Sequence, residues 1–322
     1  MRSVGMLSRI AESLFWIGRY VERADDTARI LDAFLARVLE DPWIDEDAAC
    51  RSLLAILGSA PPHDARLTTG DVLEVMGFDV DNPSSIAGAL SSARENARGA
   101  RETISSEMWE CLNVTWHSLQ SRRVAAERLG PALYLGFVRE RAAMLTGLAE
   151  STMSRDDGWR FLVLGRNLER VDMTARLLSI QVITPEYGQD GFGDQWRTVL
   201  RACGADESFL RTHGGDVVAQ RVAEFLMLDR LFPRSALHAL TEAEECLEAL
   251  APSTERAGMA DAARRPVGQA RTRLEYADAA TLLDDLPTHL RSLQRACATA
   301  SAAVTARYFD QTMPVTWAHE GV

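Results

Sequence analysis

The chain has 322 residues, 47% of them apolar and 25% charged, which is the composition of an ordinary soluble globular protein. Its formal charge of −11 argues against a general binder of nucleic acid or of anionic membranes, while leaving room for local basic patches. All 35 basic residues are arginine, which excludes a Walker-A lysine, a pyridoxal Schiff base and any lysine nucleophile. Phosphate or carboxylate, if bound, must be held by arginine forks. Five cysteines (Cys50, Cys111, Cys203, Cys246, Cys297) are scattered without a C-x-x-C pair and read as reduced, mostly buried thiols of a cytoplasmic protein. Arg9, Glu12 and Arg19 interrupt any signal-peptide core, and no apolar run approaches the ~18 residues of a membrane span.

The first predicted helix runs from about Ser8 to Glu40 and stops at Asp41-Pro42. It carries Gly18-Arg19-Tyr20-Val21-Glu22-Arg23-Ala24-Asp25-Asp26-Thr27-Ala28-Arg29-Ile30-Leu31. This stretch returns 147 positions later as Gly165-Arg166-Asn167-Leu168-Glu169-Arg170-Val171-Asp172-Met173-Thr174-Ala175-Arg176-Leu177-Leu178, with nine of fourteen residues identical. Most of the matches are polar, so the repeated unit reads as a polar face placed twice on one scaffold. At 100° per residue, Arg19, Glu22, Arg23, Asp26 and Arg29 share one side, and Ile17, Tyr20, Val21, Ala24, Ala28 and Leu31 form the core-facing stripe. Asp25/Arg29 and Asp172/Arg176 are i,i+4 acid-before-base pairs. Arg19/Arg23 and Arg166/Arg170 are like-charge pairs, whose repulsion an anion or a distant carboxylate would relieve. Both a salt-bridge seam and an anion site fit these residues. Met173, standing where the first copy has Asp26, makes the two faces inequivalent.

A second helix covers roughly Asp45–Leu57, a short one lies near Asp71–Met76, and Asn82-Pro83 reads as the cap and first turn of the next. Residues 84–121 are helical with a recap at Ser105/Ser106; here Arg94, Arg98 and Arg101 form a basic stripe, followed by Glu107 and Asn113. Gly130-Pro131 opens a helix that ends near Asp156-Asp157-Gly158, and the repeat helix then runs to about Val182. Residues 188–193 are glycine-rich without being G-x-G-x-x-G and read as a connector, with Asp194 capping a helix through Cys203. Helices over Asp216–Asp229, Arg234–Leu250, Ala257–Leu283 and Pro287–Tyr308 complete the chain. A 3.6-residue period dominates and no alternating strand appears, so the class is all-α, a multi-helix bundle. Residues 1–322 are expected as one domain, with half-units near 6–155 and 156–322 sharing a core and the motif helices paired about an approximate two-fold axis.

Di-metal sites in bundles need Glu-x-x-His, and none of the six histidines has it; H-E-x-x-H is absent as well, so neither metal nor cofactor is expected. His238 and Glu242 read as a surface hydrogen-bond pair. The candidate ligand-binding residues are Arg19, Glu22, Arg23, Arg166, Glu169 and Arg170, then Arg98, Arg101, Glu107 and Asn113. Arg234, in Phe232-Pro233-Arg234-Ser235 at a helix start, is either an anion-site arginine or part of a tight turn.

With these motifs in order, the chain resembles the bacterial α-E domain family, all-helical proteins named for a Glu-Arg motif. The match runs from Met6-Leu7-Ser8-Arg9 through Gly18–Ala24, Glu95-Asn96-Ala97-Arg98, Ser106–Asn113, Gly165–Arg170 and Phe232–Ser235 to Tyr308-Phe309. The resemblance implies an association with a circularly permuted ATP-grasp amide ligase, in a system that makes or modifies a small peptide. It assigns no chemistry to the Glu-Arg residues themselves. Three readings stand: an accessory or scaffold protein that binds the ligase and a peptide or amino-acid substrate; an enzyme using Glu22 or Glu169 as general base with arginine clamps; and a purely structural interaction module. The substrate and the oligomeric state, a homo-oligomer included, stay open. Arg23→Gln and Arg170→Gln are expected to cost little stability if these arginines close exposed bridges.

Overall fold

The computed structural model describes residues 8–59, 66–183, 192–252 and 262–309. Among them there are α-helices and two π-helical turns, and no strand. The first half comprises α1 (Ser8–Glu40), α2 (Glu46–Ile56), α3 (Thr69–Leu73) with a π turn at Glu74–Phe78, α4 (Ile86–Gly99), α5 (Ser106–Leu129) and α6 (Ala132–Thr152). The second comprises α7 (Asp157–Ile183), α8 (Phe192–Ala202), α9 (Asp206–His213), α10 (Ala219–Leu228), α11 (Ala236–Leu250), α12 (Arg264–Glu275) and α13 (Leu286–Val304) with a π turn at Thr305–Phe309.

The two motif helices, α1 and α7, make the largest helix–helix contact. Glycine allows it. A Cβ on Gly18 would land on the carbonyl oxygen of Leu162 and 2.9 Å from the Arg166 amide nitrogen, and one on Gly165 would land on the carbonyl of Phe15. Around this crossing α4, α6 and α8 pack on α1, while α11, α13 and α2 pack on α7; α5 lies over α4 and α6, and α12 over α11 and α13. Buried apolar side chains form one contiguous cluster from Ala11 to Phe309. Glu22, Asp25 and Asp26 are buried nearly as fully as Ala24 and Ala28, because other helices surround α1 on its polar side as well.

Side-chain caps set the helix starts. Asp45, Thr68, Ser85, Ser105 and Ser235 each accept a hydrogen bond from a backbone N–H of the first turn. Ser85, not Asn82, therefore caps α4, and Asn82-Pro83 lies in the turn before it. Asp194 falls inside α8 rather than ahead of it, and residues 188–191 lie outside the described residues. The expected helix over 257–283 is α12 alone, since turns follow Glu275 and the Asp278 carboxylate accepts from the Ala280 amide. The short α9 is an addition. It has one fully buried apolar anchor, Phe209, too weak a period to read from sequence.

Candidate functional site

The close crossing of α1 and α7 lets each motif glutamate reach the arginines of the other helix. Glu169 accepts from Arg19 Nε at 2.6 Å and from Arg23 Nε and Nη2 at 2.6 and 3.1 Å. Glu22 accepts from Arg170 Nε and Nη2 at 2.6 and 2.9 Å. Arg23 and Arg170 each spend a further Nη1 on a proline carbonyl, Pro83 at 3.3 Å and Pro233 at 3.2 Å. The like-charge pairs of the sequence are thus relieved from across the interface. Burial opposes ionisation of both glutamates, but the arginines prevail: Arg170 and Arg234 hold Glu22 down at about 2, and Arg19 and Arg23 hold Glu169 below the usual carboxylate range.

On the Glu22 side the interface is sealed. Arg234, from the turn before α11, reaches Glu22 at 3.0 Å and also pairs with Asp25 and Asp26. That corrects the view of Arg234 as a helix-start anion site: its charge is spent on three carboxylates. Oxygens of Glu22, Asp25 and Asp26 lie within 4.8 Å of one another, a spacing that could hold a cation, yet the guanidinium already sits among them. Burial raises Asp26 to about 7, with Glu22 and Asp25 adding to the rise against Arg234. Burial likewise lowers Arg166, helped by Arg170; Arg166 reaches Glu150 at 3.5 Å and leaves its Nε buried without a partner. The space beside it amounts to about 20 Å³, room for one water-sized group.

The Glu169 side is open. Met173 stands where Asp26 would be, and Ser84 occupies in Asp79–Ser85 the place that Arg234 has in Asp229–Ser235. A cleft of about 1410 Å³ lies between α2, α7 and α13, with Arg19 and Arg23 at its base. Arg51, Arg176, Arg291 and Arg295 also line it, and Asp172 is the one acid among the described lining residues. Arg176 is held by Asp172 at 2.7 Å and by the Ile56 carbonyl at 2.8 Å. Arg291 and Arg295 are exposed, bonded only to Thr288 and to the backbone, and have no carboxylate partner among the described residues. The arrangement can bind anions. The two glutamates beneath it are held ionised by their arginines, which makes neither of them suited to accept a proton at neutral pH.

A family model of an alpha-helical domain with a conserved ER motif, Alpha-E, matches residues 6–309. The chain belongs to the Alpha-E family. Among its relatives are the uncharacterized proteins Mb2597 of Mycobacterium bovis, 26% identical over 253 residues, and Rv2567 of Mycobacterium tuberculosis, 25% identical over 253 residues. Each match covers 72% of this chain but only 28% of the relative, so the chain spans under a third of those proteins. No solved structure matches it.

In this Alpha-E chain the named motif is an interhelical lock, and the other candidates stand apart from it. Arg98 is two-thirds exposed and pairs with Glu95, Arg101 lies over the Trp109 ring, and Glu107 sits in the first turn of α5. Asn113 accepts from Arg94, so Arg94 rather than Arg98 or Arg101 ties α4 to α5. None of these side chains bonds to a Glu-Arg motif residue. His238 Nδ1 bonds to the Arg230 carbonyl rather than to Glu242. Sequence reasoning missed Arg51, Arg176, Arg291 and Arg295 as cleft residues. The like-charge i,i+4 spacing of Arg291 and Arg295 was the available signal, the same one that drew attention to Arg19/Arg23. It also missed D-x-x-x-P-x-S at Asp79–Ser85 and Asp229–Ser235, in which each serine hydroxyl donates to its aspartate's carbonyl and each proline carbonyl receives a motif arginine.

Proposed function

We propose that this Alpha-E chain is a helical accessory protein that works beside an ATP-grasp amide ligase in making or modifying a small peptide, and that it holds a carboxylate- or phosphate-bearing ligand in the α2/α7/α13 cleft. One observation carries the anion-binding part: six arginines line the cleft against a single aspartate, in a chain whose net charge is −11. Arg19 and Arg23 are paired with Glu169, Arg51 with Asp47 and Arg176 with Asp172, while Arg291 and Arg295 have no carboxylate partner among the described residues; the like-charge cost of holding those two one turn apart is what a bound anion offsets. Arg19 and Arg23 share the single Glu169 at the base, which leaves one positive charge in excess there. The ligase association rests on the family resemblance. The greater length of the mycobacterial relatives fits a domain that operates next to another one. Five free, buried thiols fit a bacterial cytoplasm.

The structural-module reading keeps support on the Glu22 side, where every motif charge is paired and little space remains. The enzymatic reading with Glu22 or Glu169 as base loses support from the same pairing. The test is ATP-dependent amide formation by the ligase reconstituted with this protein. Arg291→Gln/Arg295→Gln should leave the melting temperature unchanged and reduce product formation. Undiminished product with the doubly substituted protein would sink the proposal.

A further inference from the structure

We infer that the cleft receives an extended acidic peptide laid along α13, with carboxylates at alternate positions meeting Arg291 and Arg295. This rests on the cleft being the anion site and adds what enters it. The lining runs along α13 and its π turn from Pro287 to Ala306, about 28 Å at 1.5 Å per residue. An extended chain covers that distance in roughly eight residues at about 3.3 Å each. The volume of about 1410 Å³ exceeds the ~300–1,000 Å³ typical of small-molecule pockets.

Arg291 and Arg295 are one turn apart, about 6 Å along the helix axis. Side chains two residues apart on one face of an extended peptide are separated by about 6.6 Å, so an acid-x-acid pattern places one carboxylate at each arginine. Gln294 lies between them with an amide suited to a peptide backbone, and Leu290, Ala298 and Ala302 give a low apolar wall against which a main chain can lie. On the facing side Arg176, from α7, is already held by Asp172 and the Ile56 carbonyl, so the peptide's carboxylates are met by Arg291 and Arg295.

Sequence-tolerant binding of single-stranded nucleic acid uses aromatic platforms, and no aromatic side chain lines the cleft among the described residues. A nucleoside polyphosphate concentrates its charge at one end, whereas Arg291 and Arg295, the lining arginines without a carboxylate partner among the described residues, present two charges one helical turn apart. A peptide with distributed carboxylates matches that spacing.

The experiment is fluorescence anisotropy on the full chain with a labelled alternating Glu-Ala peptide of about eight residues. Binding should weaken at least about tenfold when glutamine replaces glutamate, when the peptide is halved, and in Arg291→Gln/Arg295→Gln, the loss expected for charge-assisted contacts. It should also weaken with salt. The doubly substituted protein must melt like the parent. Arg128→Gln, an exposed change on α5 that removes one charge outside the cleft, should bind as the parent does. If tripolyphosphate or oligo(dT) binds through Arg291 and Arg295 and the acidic peptide does not, the peptide inference is overturned while the anion cleft stands. If none of the three binds the folded chain, both fall.

Discussion

At the scale of single residues, the Glu-Arg motif exchanges side chains between two helices and shuts both glutamates away from water. Glu22 and Glu169 are 4% and 1% exposed, so removing an arginine strands a buried charge. The small loss expected for an exposed bridge does not apply. Arg170→Gln should destabilise the protein by about 3–5 kcal/mol in urea unfolding, the cost of breaking a buried ion pair. A loss under about 1 kcal/mol would mean that Glu22 is satisfied by Arg234 alone. Asp26 gives a pH signature. Its folded pKa, about 7, lies above its ordinary 3.8, so the stability it contributes is complete below the ordinary value and is lost as pH rises through about 7. Glu22 acts in the opposite sense, its contribution being lost as pH falls from about 4.5 toward 2. In Asp26→Asn the amide resembles the neutral carboxyl, so the decline in stability between about pH 5 and about pH 8 should shrink. Urea midpoints at the two values check this, and an undiminished decline would assign it to another group.

At the scale of elements, the approach of α1 to α7 depends on two glycines. Alanine at Gly18 would gain about 0.8–1 kcal/mol of helix propensity, but its Cβ would meet the Leu162 carbonyl, which is backbone and cannot rotate away. Overpacking should win: Gly18→Ala is expected to cost a net ~1–3 kcal/mol and to lower the melting temperature. Gly147→Ala on α6 is the contrast, since nothing lies within 4 Å of the added carbon. It should stabilise by about 0.4–1 kcal/mol. Equal effects at the two sites would contradict the close crossing.

At the scale of the molecule, the last described element closes the core begun by the first. Phe309 packs at a tilt against Phe15 of α1 and Phe161 of α7 with ring centres at 5.6 and 5.9 Å, and Arg19 bonds across to Ser301 of α13 at 3.0 Å. Elements far apart in sequence therefore share one apolar cluster, which predicts a single calorimetric transition with matching calorimetric and van't Hoff enthalpies. Phe309→Ala should move that whole transition, at a cost of about 3 kcal/mol. Two separable transitions would show halves that unfold independently.

The sequence by itself determined the all-helical class, the 33-residue span of α1, the Ser105 recap and the repeated Glu-Arg face, because periodicity, caps and polar identities are local signals. It also carried the family. What it could not determine was the surroundings of that face. Whether Glu22, Asp26 and Arg170 meet water or another helix depends on contacts between residues some 150 positions apart, and a helical wheel shows only which residues share a side. The same limit hid the cleft. Arg51, Arg176 and Arg295 lie on three helices and are ordinary surface arginines until α2, α7 and α13 come together. The substitutions of Met173 for Asp26 and Ser84 for Arg234 were legible as letters. Only the packing turned them into one sealed side and one open side, since a buried carboxylate cluster needs its own arginine and the open side has neither.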